Sequence, residues 1–171
     1  MVISGIFFCI FTQKFGIALI NIIGTHECKV DAKGRFMFPS GFKNQLADEL
    51  DKGFVIKRSI FRKCLELYPK SEWNLESQRI NKLNRFRKKN VDFIRKFMAG
   101  VRLLEMDGTG RLLVPRDLKN YSGIEKEIVL ASVVNKIEIW SKEEYEKAID
   151  YDHDEFADMA EEVMGDVETE E

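Results

Sequence analysis

Asp31-Ala32-Lys33-Gly34-Arg35-Phe36-Met37-Phe38-Pro39 returns 76 residues later as Asp107-Gly108-Thr109-Gly110-Arg111-Leu112-Leu113-Val114-Pro115. Sliding 28–44 onto 104–120 without a gap superposes six identical pairs: Asp31/Asp107, Gly34/Gly110, Arg35/Arg111, Pro39/Pro115, Lys43/Lys119 and Asn44/Asn120. The apolar positions follow, with Val30/Met106, Phe36/Leu112, Phe38/Val114 and Phe42/Leu118. Self-similarity at fixed spacing marks a duplicated architecture.

Outward from the repeat, each half reads as the same series of elements. His26, Cys28 and Val30 alternate with Glu27 and Lys29, the period-2 pattern of a half-buried strand. Asp31 to Arg35 supplies turn chemistry, because Asp can bond to backbone two residues on and Gly34 tolerates positive φ. Phe36 and Phe38 read as the return strand of a hairpin, ended by Pro39. A short helix over 40–46 and strands over 54–57 and 64–68 follow. The second half repeats this with Leu104 and Met106, the Asp107–Arg111 turn, Leu112 and Val114, a helix over 116–120, and strands over 128–130 and 136–140. One repeat of about 45 residues is near the size below which a core is hard to close unaided, so the halves should pack as one barrel of α+β class.

With the repeat aligned, the chain resembles the MraZ family, bacterial transcriptional regulators of the AbrB-like type. Gly24 to Pro39 is similar to that family's first signature, Asp107 to Pro115 to its second, and Asn135 to Trp140 to the strand after it. The resemblance runs from about Ile22 to Tyr145 and implies a pseudo-two-fold swapped-hairpin β-barrel. It also implies binding to short direct repeats upstream of the division and cell-wall gene cluster, including the protein's own promoter, by a ring-like homo-oligomer in the cytoplasm and on the nucleoid.

Between the halves, Ile80, Leu83, Phe86, Val91, Ile94, Phe97 and Met98 recur at helical spacing, and Gly100 stops the second of two helices. Phe86, Phe93 and Phe97 fall on the apolar side and are expected in the core. A C-terminal helix starts at Ser141 with Glu144 completing a capping box, and Tyr145, Ile149, Phe156, Met159 and Val163 form its apolar stripe. The expected divisions are an extension over 1–21, a first repeat over 22–76, a helical linker over 77–100 packed on the barrel, a second repeat over 101–145, and an acidic helix and tail over 146–171. In and beside the extension, the apolar stretches Gly5–Thr12 and Gly16–Ile23 are interrupted by Gln13 and Lys14; the segment lacks the charged start of a signal peptide, and each apolar piece is too short to span a bilayer. The extension reads as non-native or disordered sequence ahead of a true start such as Leu19, with no membrane partner. Beyond Gly165 the tail is expected to be disordered.

The net charge of −2 hides an asymmetry. Glu143 to Glu171 carries fourteen acids and one base, Lys147, which leaves 26 basic against 15 acidic residues over 1–142. A basic body with an acidic tail suits nucleic-acid binding, and equally a solvated surface beside a solubilising tail. Residues 77–102 hold nine basic residues and one acid, Asp92. They read either as a phosphate clamp, as solvated helix faces, or as partners for another subunit's acidic tail.

At the first turn, Lys33 and Arg35 can reach phosphates or a guanine edge, with Asp31 orienting the arginine. An Asp31–Arg35 pair that only fixes the turn is the alternative, and the resemblance favours DNA contact. Arg111 is the weaker candidate, because Thr109 replaces the lysine and Gly108 the alanine, and a shared structural role for the Asp107–Arg111 pair stands equally beside DNA contact; Asp107 and Gly110 complete that turn. No Gly-rich phosphate loop or metal-spaced His/Cys cluster is present, and no metal, cofactor or catalytic residue is expected. Each Asp has its own Arg nearby, which favours permanent ionisation over acid–base chemistry. Cys9, Cys28 and Cys64 form no close-spaced pair, as suits a reducing cytoplasm. The rival to a DNA-binding regulator is a protein-interaction module using the same barrel and the acidic tail.

Overall fold

Strand pairing runs between the halves. The computed structural model describes residues 20–165 and 167, among which lie eight strands: β1 (Thr25–Lys29), β2 (Arg35–Met37), β3 (Phe54–Arg58), β4 (Leu65–Pro69), β5 (Arg102–Leu104), β6 (Arg111–Leu113), β7 (Glu127–Val133) and β8 (Lys136–Ser141). The helices are α1 (Ser40–Gln45), α2 (Lys70–Asn81), α3 (Lys88–Met98), α4 (Arg116–Ser122), α5 (Lys142–Ile149) and α6 (His153–Met164). A six-stranded antiparallel sheet has the order β1-β7-β8-β4-β3-β5, and β2 and β6 form a separate two-stranded ribbon.

The sheet order is its own mirror once β1, β7 and β8 are matched to β5, β3 and β4. β1 of the first half pairs with β7 of the second, and β5 of the second pairs with β3 of the first. The local hairpin expected across Asp31–Arg35 therefore does not zip up; a single bridge, Val30 to Phe36, joins its arms. Exchange wins because neither half can bury its own apolar face. The pseudo-two-fold axis passes through the ribbon, where the repeat-equivalent residues Phe36 and Leu112 lie directly opposite each other. It leaves the sheet between Glu66 and Glu138, opposite each other in β4 and β8. This is the swapped-hairpin barrel.

The core is shared evenly. Phe36, Phe38 and Phe42 from the first half meet Leu112, Val114 and Leu118 from the second, all buried, with Ile56, Leu67, Ile128 and Ile137 beneath them. Aromatic rings at three positions of one repeat are aliphatic in the other, so one interior is filled without overpacking.

The linker helices cover the outer face of β3 and β4. The first, α2, starts at Lys70 rather than after residue 76, directly behind Pro69. Trp73 and Phe97 pack there on Val55 and Tyr68. Phe97 is buried as expected, but Phe86 is fully exposed and Phe93 is 43% exposed. The reason is a turn around Asn84, whose side chain accepts from the Phe86 amide (2.9 Å) and whose carbonyl accepts from Asn90 Nδ2 (2.9 Å). The helical register restarts after it.

Beneath Phe97 lies a buried charge cluster. Lys57, with no exposed surface, donates to Glu66 (3.1 Å) and to the Arg58 carbonyl (2.6 Å), 4.4 Å from the Phe97 ring centre. Glu66 also accepts from Lys136 (2.7 Å) and Tyr68 (3.1 Å). Burial pushes the Glu66 carboxyl up, but the two lysines outweigh it and hold the group below its ordinary value.

The single C-terminal helix expected from Ser141 is two helices. Ser141 caps α5 by accepting from the Glu144 amide (3.4 Å), and Asp152 starts α6 by accepting from the Asp154 amide (3.0 Å). Phe156, Met159 and Val163 remain exposed. Among the described residues no helix is long and apolar enough to cross a membrane. The expectations for residues 1–19, Leu19 included, and for 166 and 168–171 lie outside the described residues.

Candidate nucleic-acid interface

The two Asp-x-x-x-Arg turns are built alike. Asp31 Oδ1 accepts from the amides of Lys33 and Arg35, both at 2.9 Å, and Oδ2 accepts from Arg35 Nε at 2.8 Å. Asp107 Oδ1 accepts from the Thr109 amide (3.0 Å), the Thr109 hydroxyl (2.8 Å) and the Arg111 amide (2.9 Å), while Oδ2 accepts from Arg111 Nε (2.9 Å). The Arg35 amide, followed by its guanidinium, holds the Asp31 carboxyl below the usual range. The Arg111 amide and the Thr109 hydroxyl hold Asp107 far below it. Both carboxylates stay ionised and serve as anchors.

Gly34 and Gly110 fasten each turn to the opposite half. Gly34 has φ 88°, and a Cβ there would lie 2.7 Å from the Val114 carbonyl oxygen. Its own carbonyl accepts from the Val114 amide (2.8 Å), as that of Gly110 does from Phe38 (3.1 Å). Gly110 has φ 81°, and Lys43 Nζ occupies the space a Cβ would need. A side chain at either position would be strained by the positive φ, and at Gly34 it would also meet fixed backbone, whereas the Lys43 side chain could move away from Gly110.

The ribbon register decides what faces outward. Arg35 lies opposite Leu113 and Met37 opposite Arg111, so these four share one face, while Phe36 and Leu112 point into the core. The outer face thus carries an arginine at each end of one diagonal, roughly 7–8 Å apart, with Met37 and Leu113 half-exposed between them. Each arginine side chain is about one-third exposed, at 33% and 32%. Each commits Nε to its aspartate, and the terminal amino groups have no partner among the described residues. A guanidinium held this way presents a two-pronged donor in a fixed direction.

Arg111 is therefore placed as Arg35 is; the halves differ at the neighbouring position. Lys33 makes no ion pair among the described residues, whereas the Thr109 hydroxyl is turned back onto Asp107. Lys43, absent from the sequence-based candidates, reaches from α1 to the Gly110 turn and contacts Met37 Sδ (3.7 Å). Its signal was present in the repeat, where Lys43 and Lys119 are identical. The linker cations are set differently: Lys88 and Arg95 both bind Asp92 (2.6 and 2.8 Å), and Arg79 binds Glu76 (3.4 Å).

A duplicated swapped-hairpin barrel that presents a cationic β-ribbon is the architecture of the AbrB-like class. The family model described as "MraZ protein, putative antitoxin-like" matches the chain twice, over residues 22–96 and 97–167. The protein named Transcriptional regulator MraZ from Christiangramia forsetii is 60% identical over 147 residues, which is 86% of this chain and 95% of that one. The protein of that name from Flavobacterium psychrophilum is 61% identical over 151 residues, 88% of this chain and 96% of its own. The one from Bacteroides fragilis is 36% identical over 130 residues, 75% and 82% of the two chains. The chain belongs to the MraZ family.

Proposed function

We propose that this protein is a cytoplasmic, nucleoid-associated transcriptional regulator that binds DNA sequence-specifically through the β2–β6 ribbon. One observation supports the reading: two arginines on the exposed ribbon face, each braced by its own aspartate through Nε, with amino groups that have no partner among the described residues. The major groove admits a two-stranded β-ribbon, and an arginine fork matches O6 and N7 of guanine. In this reading Arg35 and Arg111 contact bases, Lys33 and Lys43 contact phosphates, and Asp31 and Asp107 orient the arginines.

The ribbon has a direction. Its fold is pseudo-symmetric, but Lys33 gives one end a free charge that Thr109 denies the other. A polar reader suits boxes repeated in the same orientation, and several protomers held in register on direct repeats gain avidity through effective concentration. The names of the relatives support regulation. Family resemblance points to the division and cell-wall cluster, including the protein's own promoter, as the target, and to a ring-like homo-oligomer as the binding form. The test is gel retardation of the DNA upstream of the protein's own gene against excess random competitor. Specific retardation that survives competition is expected; a complex that random DNA removes would leave the barrel as a protein-interaction module.

A further inference from the structure

Between the end of β3, the linker helix α3 and helix α4 lies a cavity of about 150 Å³. Arg58 and Ile60 wall it from β3 and the residues just after, Phe93, Lys96 and Phe97 from α3, and Tyr121 from α4. An apolar cavity of about 150 Å³ holds one benzene molecule, so the space suits a single flat group of that size. No Asp or Glu lines it. The Arg58 guanidinium carbon stands 4.7 Å from the Tyr121 ring centre, and Arg58 Nε is buried without a partner among the described residues. Asp92, one turn before Lys96, is taken by Lys88 and Arg95, and Lys57 beside the cavity is committed to Glu66. Arg58 and Lys96 are thus two cations brought together among aromatic rings with no acid of the chain between them.

The pseudo-two-fold mate of this place is closed. Val55 lies opposite Leu103 and Val129 opposite Glu27, which are repeat equivalents, so Arg58 corresponds to Ser132. At the 76-residue spacing Tyr121 corresponds to Gln45 and Gly100 to Gly24. On that side Ser132 Oγ accepts from the Gly24 amide (3.0 Å), and Gln45 bonds both the amide and the carbonyl of Ile23 (2.8 Å each). On this side Arg58 Nε passes Gly100, 3.3 Å from where a Cβ would stand, and makes no bond. The fold therefore has an internal way to satisfy these positions, and only one half uses it. Leaving a buried guanidinium N–H unpaired is costly, and an anionic ligand at the Arg58 head offsets that cost.

We propose that this cavity binds a small organic carboxylate with a flat apolar body. The carboxylate lies between the Arg58 guanidinium, whose planar fork matches it, and the Lys96 ammonium. The body packs among Ile60, Phe93 and Phe97. A bare phosphate would meet the cations but leave the rings uncovered, so the walls favour an anion that carries its own apolar group.

Calorimetry and thermal melting of the full chain with benzoate as the probe test this. Benzoate should bind saturably at roughly millimolar concentration, as suits so small a ligand, and raise the melting temperature. Benzamide, the same shape without the charge, and acetate, the same charge without the ring, should each bind far more weakly. Arg58→Gln should weaken benzoate roughly tenfold or more. Lys96→Ala, at an exposed position of α3, should weaken it about two- to fivefold, and Lys96→Glu should abolish it. The Lys96 variants leave the core untouched and keep the test decisive should Arg58→Gln fail to fold. Absence of saturable benzoate binding, or binding that Lys96→Glu leaves unchanged, would overturn the site. Inorganic phosphate or acetate binding as tightly as benzoate would overturn the assigned ligand class.

Discussion

Substituting Arg35 by alanine should remove specific DNA binding and leave the barrel folded. Among the described residues the Arg35 guanidinium makes one hydrogen bond, through Nε to Asp31, and its amino groups have no partner. What the variant loses in the complex is the base contact, about 1–3 kcal/mol for a bidentate arginine–guanine pair, or roughly 5- to 150-fold per protomer. Loss at several protomers on repeated boxes compounds. The turn should persist, because Asp31 Oδ1 still accepts from the amides at 33 and 35 (2.9 Å each). The carboxylate left behind has lost its cation and now faces the phosphates, so removing it as well should partly restore nonspecific binding without restoring specificity. Arg111→Ala should weaken binding by a similar factor, since its bracing by Asp107 (2.9 Å) and its exposure match those of Arg35. Fluorescence anisotropy on a promoter fragment and on random DNA, beside thermal melts, reads all four proteins. A well-folded Arg35→Ala variant that binds the promoter as wild type does would refute the ribbon as the reading element. A large loss for Arg35→Ala with none for Arg111→Ala would refute the equivalence of the two turns.

Lys33→Ala should weaken binding to all sequences alike and reduce the salt dependence by about one unit per bound protomer, measured as the slope of log affinity against log salt. Glu66→Gln should destabilise the fold by about 3–5 kcal/mol in urea unfolding, because Lys57 is left charged and buried without its carboxylate; Lys57→Met should be far milder, since Lys136 still pairs Glu66. Val134 holds a positive φ of 57° in the β7–β8 turn, so Val134→Gly should stabilise by about 1 kcal/mol and raise the melting temperature by roughly 2–4 °C. The Asp31 and Asp107 carboxyls titrate below their unfolded value, so their contribution is whole above about pH 4 and fades as pH falls through the lower folded value. D31N/D107N should accordingly be less stable than wild type at pH 7, with the gap closing in strong acid; a gap that widens on acidification would reverse the assigned sign.

Local chemistry was legible in the sequence and partnership was not. The turns could be read because Asp, Gly and Arg act within five residues of one another, and the strands because alternation is a local pattern. Nothing in that alternation says that β1 pairs with β7 rather than with β2. The exchange is implied by the family resemblance, which carries the swapped-hairpin barrel, and physically by what a half of this size can bury. Phe86 is exposed for a related reason: helical spacing runs on across residues 83–87 in the sequence, whereas the Asn84 turn restarts the register there. The break before α6 did leave a sign, since Asp152 with Glu155 three residues on has the spacing of a capping box. Lys57 left none, because a buried lysine is intelligible only beside Glu66 and Phe97, which chain distance separates from it. The site divides the same way. Each arginine and its aspartate form a local unit that duplication copied, and either copy announces itself in the sequence. Their joint placement on one exposed face arises only when β2 of one half is laid against β6 of the other. Duplication therefore does more than double a motif: by pairing the two copies across an axis, it converts two isolated turns into one ribbon broad enough to meet a groove.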